Sequence, residues 1–293
     1  MIIDKMEALI GFVTRNGLKV TLEEVINRNS VWSLSDELIE SQTNDVQSSM
    51  SDTPAYLSVC RLAYENEQVF NKFKSNREYR QILEHVTYEQ GLAYLKIIES
   101  DPFSLKLLQD LSYFEDGKPF KYTYKKYGKL SPTLLRYIKV TGEIYALFGN
   151  ISQFNIAEIG VGTGGLCEQI VSNFNVSQYD LYDLPDVLRL SSKCISRGEI
   201  RGNINPRYDY TSSVAEYDLV ISNYAFSELT RNVQMQYINE VILKSKHGYL
   251  IYNHISPDSY DTLSAADFCK LVPNAVIRSE TPLTHKDNVL ITW

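Results

Sequence analysis

Residues 156–165 read "IAEIGVGTGG", an apolar run with a glutamate followed by four glycines within six positions. Glycine in place of alanine costs roughly 0.5–1 kcal/mol per position, so four together imply a backbone that has to approach something closely. In a turn between a strand and a helix, the missing Cβ atoms of Gly160, Gly162 and Gly164 expose backbone N–H groups and the positive end of the helix to a bound group. Carboxylates stand where they could hold the rest of that group. Glu158 lies two residues before the first glycine, Asp183 lies 19 residues beyond Gly164, and Asp209 follows a further strand-like run. A carboxylate there accepts hydrogen bonds from an ammonium, from paired ribose hydroxyls or from an adenine amino group. Leu184 and Tyr210 adjoin the two aspartates and are counted in the same site, as is Asn223 at the end of a later apolar run.

The elements that must position these residues change character near residue 130. Before it, helical periodicity predicts helices over 5–15, 22–27, 55–70, 78–85, 88–99 and 104–113, with a polar Ser- and Asp-rich loop over 33–54. After it, strand and helix alternate. Ser131 caps and Pro132 opens a helix that runs to Gly149. Strands are expected over 154–159, 178–183, 204–208, 217–223 and 249–253, with helices over 166–173, from Pro185, over 232–246 and over 262–271. A series of this kind builds a parallel sheet. The ending differs, because "NAVIRSE" and "NVLITW" are joined by a connection too short for a crossover helix, so they must pair antiparallel. The fold class is α/β, with residues 1–130 as an all-helical domain and 131–293 as a Rossmann-like domain.

A net charge of −7 and a pI near 5.3 argue against a nucleic-acid partner and for a small-molecule substrate. No apolar stretch near the N-terminus is long enough to enter a membrane, and a cytoplasmic location is expected. The four cysteines and four histidines are scattered, so no metal site is expected. Two cofactors fit the glycines. Gly160, Gly162 and Gly165 satisfy the GxGxxG dinucleotide fingerprint, whereas Gly160, Gly162 and Gly164 satisfy the GxGxG turn of S-adenosylmethionine-dependent methyltransferases. Glu158, Asp183, Asp209 and the antiparallel ending together favour the methyl donor.

The stretches "LSPTLLRYIKVTGEIYALFG", "IAEIGVGTGGLCEQI", "YDLYDLPDVLRLSSK" and "YDLVISNYAFSEL", in this order, resemble the sugar O-methyltransferases found in bacterial surface-polysaccharide gene clusters. The "DLP" also resembles the small-molecule O-methyltransferases of plants. The resemblance covers about residues 128–255, and departs from the family where Thr163 replaces a Tyr or Ala of the glycine loop. It implies a seven-stranded methyltransferase sheet with an antiparallel last strand and a helical cover over the substrate. It also implies S-adenosylmethionine as donor and a saccharide or nucleotide-sugar hydroxyl as acceptor; a homodimer would be compatible with it.

A sulfonium methyl group is already activated, so the chain has to align an acceptor oxygen and take its proton. The histidine that follows the fourth strand in plant relatives falls on Ser227 here, with Glu228 beside it. Glu228 is the first candidate base and His254, in "YLIYNHISPD", the second. Arg136, in an Arg-Tyr pair that the family pattern keeps, would meet the cofactor carboxylate or a carboxylate across the domain interface. The basic, aromatic segment "KPFKYTYKKYGK" over 118–129 reads as a hinge, a cradle for a sugar diphosphate or a nucleic-acid surface. Two alternatives stay open: a module that binds the cofactor without chemistry, and N-methylation of an amino sugar.

Overall fold

The computed structural model describes residues 2–39, 47–111, 115–198 and 202–293, with the side chains of 2–10 left aside. Part of the polar loop (40–46) and the end of the helix expected over 104–113 lie outside the described residues. The N-terminal half contains α1 (Ile2–Asn29), α2 (Pro54–Glu65), α3 (Glu67–Phe70), α4 (Arg77–Ile82), α5 (Tyr88–Ser100) and α6 (Pro102–Gln109). Two expected helices form α1, which is broken at Gly17, where φ is 82°. The helix expected over 55–70 is interrupted at Asn66, because its side chain accepts hydrogen bonds from Gln68 and Val69 N–H and caps a new helix. Helix α5 starts on a full capping box between Thr87 and Gln90.

Helix alone does not persist to residue 130. Strands β1 (Tyr122–Tyr124) and β2 (Gly128–Leu130) form an antiparallel hairpin. Tyr122 and Tyr124 alternate inward with Thr123 between them, and Lys126 and Gly128 take positive φ at the turn, a period-2 signal masked by the lysines around it. Its lysines pair with carboxylates: Lys121 with Glu115 (3.1 Å), Lys126 with Glu99 (3.9 Å) and Lys129 with Glu23 (3.9 Å).

The remaining elements are α7 (Pro132–Phe148), β3 (Asn155–Ile159), α8 (Gly165–Val171), β4 (Gln178–Tyr182), α9 (Pro185–Arg197), β5 (Ile204–Arg207), β6 (Tyr217–Asn223), α10 (Arg231–Glu240), β7 (Ser245–Tyr252), α11 (Ala265–Leu271), β8 (Val276–Ser279) and β9 (Val289–Thr292). Strands β3 to β9 form one seven-stranded sheet in the order β5-β4-β3-β6-β7-β9-β8. All neighbours from β5 to β7 are parallel, and β9 runs antiparallel to both β7 and β8. Ser131 caps α7, Pro132 opens it and Gly149, at φ 74°, ends it, as the sequence predicts. Helix α10 stops short of the expected residue 246, since Val241 and Ile242 are pulled into the core before β7 begins.

The sheet is covered on both faces. One core gathers Val140, Ile144, Leu166 and Ile170 from α7 and α8, and the other gathers Tyr237, Ile238 and Phe268 from α10 and α11. The N-terminal helices pack on α7 and α9 rather than on the sheet. One further core joins α5 and the hairpin to Leu134, Leu135 and Ile138, and another joins α2 to Val187, Leu190 and Cys194 of α9. No helix among the described residues is long and apolar enough to cross a membrane.

The antiparallel edge is locked by a close approach. A Cβ on Gly248 would stand 2.1 Å from the Trp293 ring, whose indole N–H donates to Ser245 Oγ at 3.1 Å. Gly248→Ala should therefore lower stability by about 1–3 kcal/mol through overpacking, measured as a reduced urea midpoint; an unchanged midpoint would show that the ring moves aside freely.

Candidate active site

The strand order reverses between β4 and β6 on either side of β3, and a cavity of about 600 Å³ opens there, at the C-terminal ends of the parallel strands. The sequence-predicted residues reach it from four strand ends. Gly160 lines it at φ 80°, and a Cβ there would stand 2.0 Å from Ala225 Cβ, so no other residue fits. Gly162 also lines it, at φ 55°. Gly164, at φ 79°, stands outside the lining and opens α8.

Asp183 and Leu184 line the cavity beside the glycines. The Asp183 carboxylate accepts Gly162 N–H (2.9 Å) on one oxygen and Leu184 N–H (2.7 Å) on the other. Burial pushes its pKa up to about 6, with the backbone N–H groups of Gly162, Leu184 and Val161 opposing the rise. Asp209 and Tyr210 line the same end. Asp209 is exposed and accepts from the Thr211 hydroxyl at 2.8 Å, while Tyr210 meets the Tyr237 ring edge-on at 5.0 Å.

Glu158 takes a different place. It stands outside the cavity lining, 3 % exposed, and accepts the Tyr179 hydroxyl at 2.8 Å. Burial, with Asp183 nearby, pushes its pKa up to about 8.

At the other end stand Arg136 and Asn223. Arg136 is 9 % exposed, its Nε has no hydrogen-bond partner, and its guanidinium lies over the rings of Tyr137 (5.7 Å) and Tyr224 (5.9 Å). Among the described residues no carboxylate forms an ion pair with it, although Glu84 acts on it electrostatically. Asn223 Oδ1 is likewise buried and unpartnered. The next residue, Tyr224, holds φ 67°, a conformation costing about 1–3 kcal/mol in a non-glycine residue and concentrated at functional sites.

Glu228 lines the cavity in the turn after β6, and Asn253 Nδ2 donates to its carboxylate at 2.7 Å. Burial raises its pKa, and the Asn253 bond opposes the rise. Ser227, at the position where the sequence resemblance implied a histidine, is 2 % exposed and is bonded to Asn253, so it supports the residue that orients Glu228. His254 is exposed and outside the cavity lining. Just past β7, Asn253 and Ile255 line the cavity while His254 between them does not.

Other lining residues carried no sequence signal. Ser48, Ser49 and Met50 arrive from the polar loop, held by Met50 N–H to Glu228 O (3.1 Å) and Thr230 N–H to Ser48 O (3.0 Å). His85, from the α4–α5 connection, is kept neutral by burial and by Arg136, its pKa held down at about 4. Thr284 and Asn288 come from the β8–β9 connection. The hairpin lysines Lys121, Lys126 and Lys129 line a separate groove. Among the described residues no group of three His, Cys, Asp or Glu side chains could hold a metal ion.

No protein-family model and no curated protein matches the chain. Among solved structures it is similar to an S-adenosylmethionine-dependent methyltransferase from Aquifex aeolicus, at 9% identity over 52% of this chain and 87% of that one, TM-score 0.41. It is also similar to magnesium protoporphyrin IX methyltransferase from Synechocystis PCC 6803 with bound SAH, at 13% identity over 54% and 81%, TM-score 0.43. A third is an rRNA methylase from Streptococcus thermophilus, at 13% identity over 54% and 95%, TM-score 0.40. At such scores the chemistry of the site rests on its own geometry.

The raised pKa of Glu158 gives a signed expectation. Between about 4.5 and 8 the folded chain holds a proton that the unfolded chain has released, so this residue lowers stability as pH rises through that window. Relative to Glu158→Gln, the unsubstituted protein should lose stability from pH 5 to pH 8 in urea titrations; parallel profiles would show that Glu158 is ionised throughout.

Proposed function

We propose that this chain is an S-adenosylmethionine-dependent O-methyltransferase acting on a hydroxyl of a small saccharide, free or carried by a nucleotide. The residues before 131 cover the acceptor and residues 131–293 hold the donor. The observation that carries this reading is the bond from Gly162 N–H to Asp183. It commits a turn amide, and a negative charge, to the place where a dinucleotide would need amides for its diphosphate. A carboxylate at this strand end suits two ribose hydroxyls, and the cationic sulfonium finds no repulsion there. Asp209 and Tyr210 flank the adenine, Arg136 takes the donor's carboxylate, and Asn223 Oδ1 takes its ammonium, which would satisfy both orphaned groups. Glu158 holds the strand end from behind through Tyr179.

The donor supplies an electrophilic methyl group on sulfur. Glu228, oriented by Asn253 and with its pKa raised by burial, accepts the proton of the attacking hydroxyl. Its presence in the cavity favours an enzyme over a binding module without chemistry.

Calorimetry with S-adenosylmethionine, S-adenosylhomocysteine and NADH tests the donor. The two sulfur compounds should bind and NADH should not, and Asp183→Ala should abolish binding. Because the ribose needs an ionised carboxylate, affinity should fall as pH drops below about 6, and Asp183→Asn should remove that dependence. Binding of NADH alone would sink the reading. Glu228→Gln should cut turnover by about 10²–10⁴-fold with donor affinity unchanged; unaltered turnover would assign the proton elsewhere.

A further inference from the structure

Of the nine buried side-chain polar atoms without a partner among the described residues, four belong to residues lining the cavity: Arg136 Nε, Arg207 Nε, Asn223 Oδ1 and Asn288 Oδ1. The donor reading above uses Arg136 and Asn223, and Arg207 already bonds at its other nitrogen to Asp209 and Thr211 beside the adenine end. Asn288 remains. It is 6 % exposed and comes from the β8–β9 connection, remote in sequence from the glycine turn.

The orientation of its amide follows from a chain of proton directions. The Glu280 carboxylate, 5 % exposed, accepts Tyr224 O–H at 2.5 Å, Thr284 N–H at 2.9 Å and Thr284 Oγ1–H at 2.7 Å. With its proton given to Glu280, Thr284 Oγ1 has only lone pairs left, and it accepts Asn288 Nδ2–H at 2.9 Å. The nitrogen of Asn288 is therefore fixed toward Thr284, and its oxygen is the free atom. An unmade hydrogen bond on a buried carbonyl costs about 1–3 kcal/mol, so an oxygen held this way calls for a donor from a ligand.

We propose that Asn288 is a specificity-determining residue of the acceptor subsite, and that its Oδ1 accepts a hydrogen bond from a second hydroxyl of an uncharged, polyhydroxylated ring, beside the hydroxyl that is methylated. The inference rests on the methyl-donor reading for the place of the donor. Its neighbourhood selects the ligand class. The cavity lining contains no lysine, its two arginines stand at the donor's two ends, and the polar side chains left include Ser48, Ser49, Gln90, Thr284 and Asn288, together with His85, which burial and Arg136 keep neutral, and His285. Such a set pairs with hydroxyls, whereas a phosphate would call for a cation and an ammonium for a carboxylate.

The test uses the full chain saturated with S-adenosylhomocysteine and titrated with the methyl glucopyranoside, galactopyranoside and mannopyranoside, each beside its per-O-methylated counterpart, which has no donor hydroxyl. The unsubstituted protein should bind at least one free glycoside, and Asn288→Leu should weaken it by about tenfold or more. S-adenosylhomocysteine affinity should stay within about twofold, and the per-O-methylated glycosides should show no difference between the two proteins. Should Asn288→Leu fail to fold, Thr284→Val keeps Asn288 but frees its amide to flip, and should also weaken the glycoside. Equal glycoside binding in the variants, or a matching loss of S-adenosylhomocysteine, would overturn the assignment. Failure of the unsubstituted protein to bind any of the three glycosides while it binds S-adenosylhomocysteine would overturn the ligand class alone. Failure to bind S-adenosylhomocysteine would overturn the donor reading and this proposal with it.

Discussion

The Asp183 carboxylate, gripped by the N–H groups of Gly162 and Leu184, ties the end of β4 to the turn after β3. The rest of the site follows from that tie. The turn can close only with residues lacking Cβ where it meets Ala225 and where φ is positive, which is why Gly160 and Gly162 stand there. Burial raises the pKa of this carboxylate against the opposing pull of the backbone donors, and leaves it short of hydrogen bonds from water. A ligand with hydroxyl donors relieves that shortage, and a ligand with phosphates aggravates it.

Around this tie stand both satisfied and unsatisfied polar groups. Away from the cavity, Asp180 is bonded by Tyr217 and Ser213 and Glu84 by Thr133 beside Lys74, while five buried atoms among the described residues, the Tyr79 and Tyr124 hydroxyls among them, have no partner. Inside the cavity, Arg136, Asn223 and Asn288 are held by packing or by one bond while an atom of each faces no partner. A native core rarely leaves such atoms unpaired, and four of the nine among the described residues belong to residues of this one cavity. Tyr224 connects the two ends, because its strained backbone follows Asn223 and its hydroxyl reaches Glu280 in the connection that carries Asn288.

Much of the fold was legible because its signals are local. Ser131-Pro132 and Gly149 bracket α7 by capping chemistry alone, and the short link between the last two strands forced the antiparallel ending. Errors arose where a local competitor was overlooked: Asn66 recaps the chain and splits a helix, and the tyrosine alternation over 122–124 made a hairpin inside a segment dominated by lysine. Glu158 shows a further limit, since its spacing from the glycines was right but its strand turned the carboxylate onto Tyr179 and away from the cavity lining.

The sequence by itself determined the parallel sheet, the glycine turn, Asp183 at the end of β4 and Glu228 after β6, because each depends on residues within one strand–turn–helix unit. Only the tertiary structure decided which of Asn253 and His254 lines the cavity, because the path of the chain beyond a strand end is set by packing rather than by composition. It alone brought Arg136, Ser48 and Asn288 to one cavity from segments more than a hundred residues apart at their extremes. Those contacts come from helix and loop docking across long separations, where no spacing rule in the chain records which polar atom will be left facing the ligand.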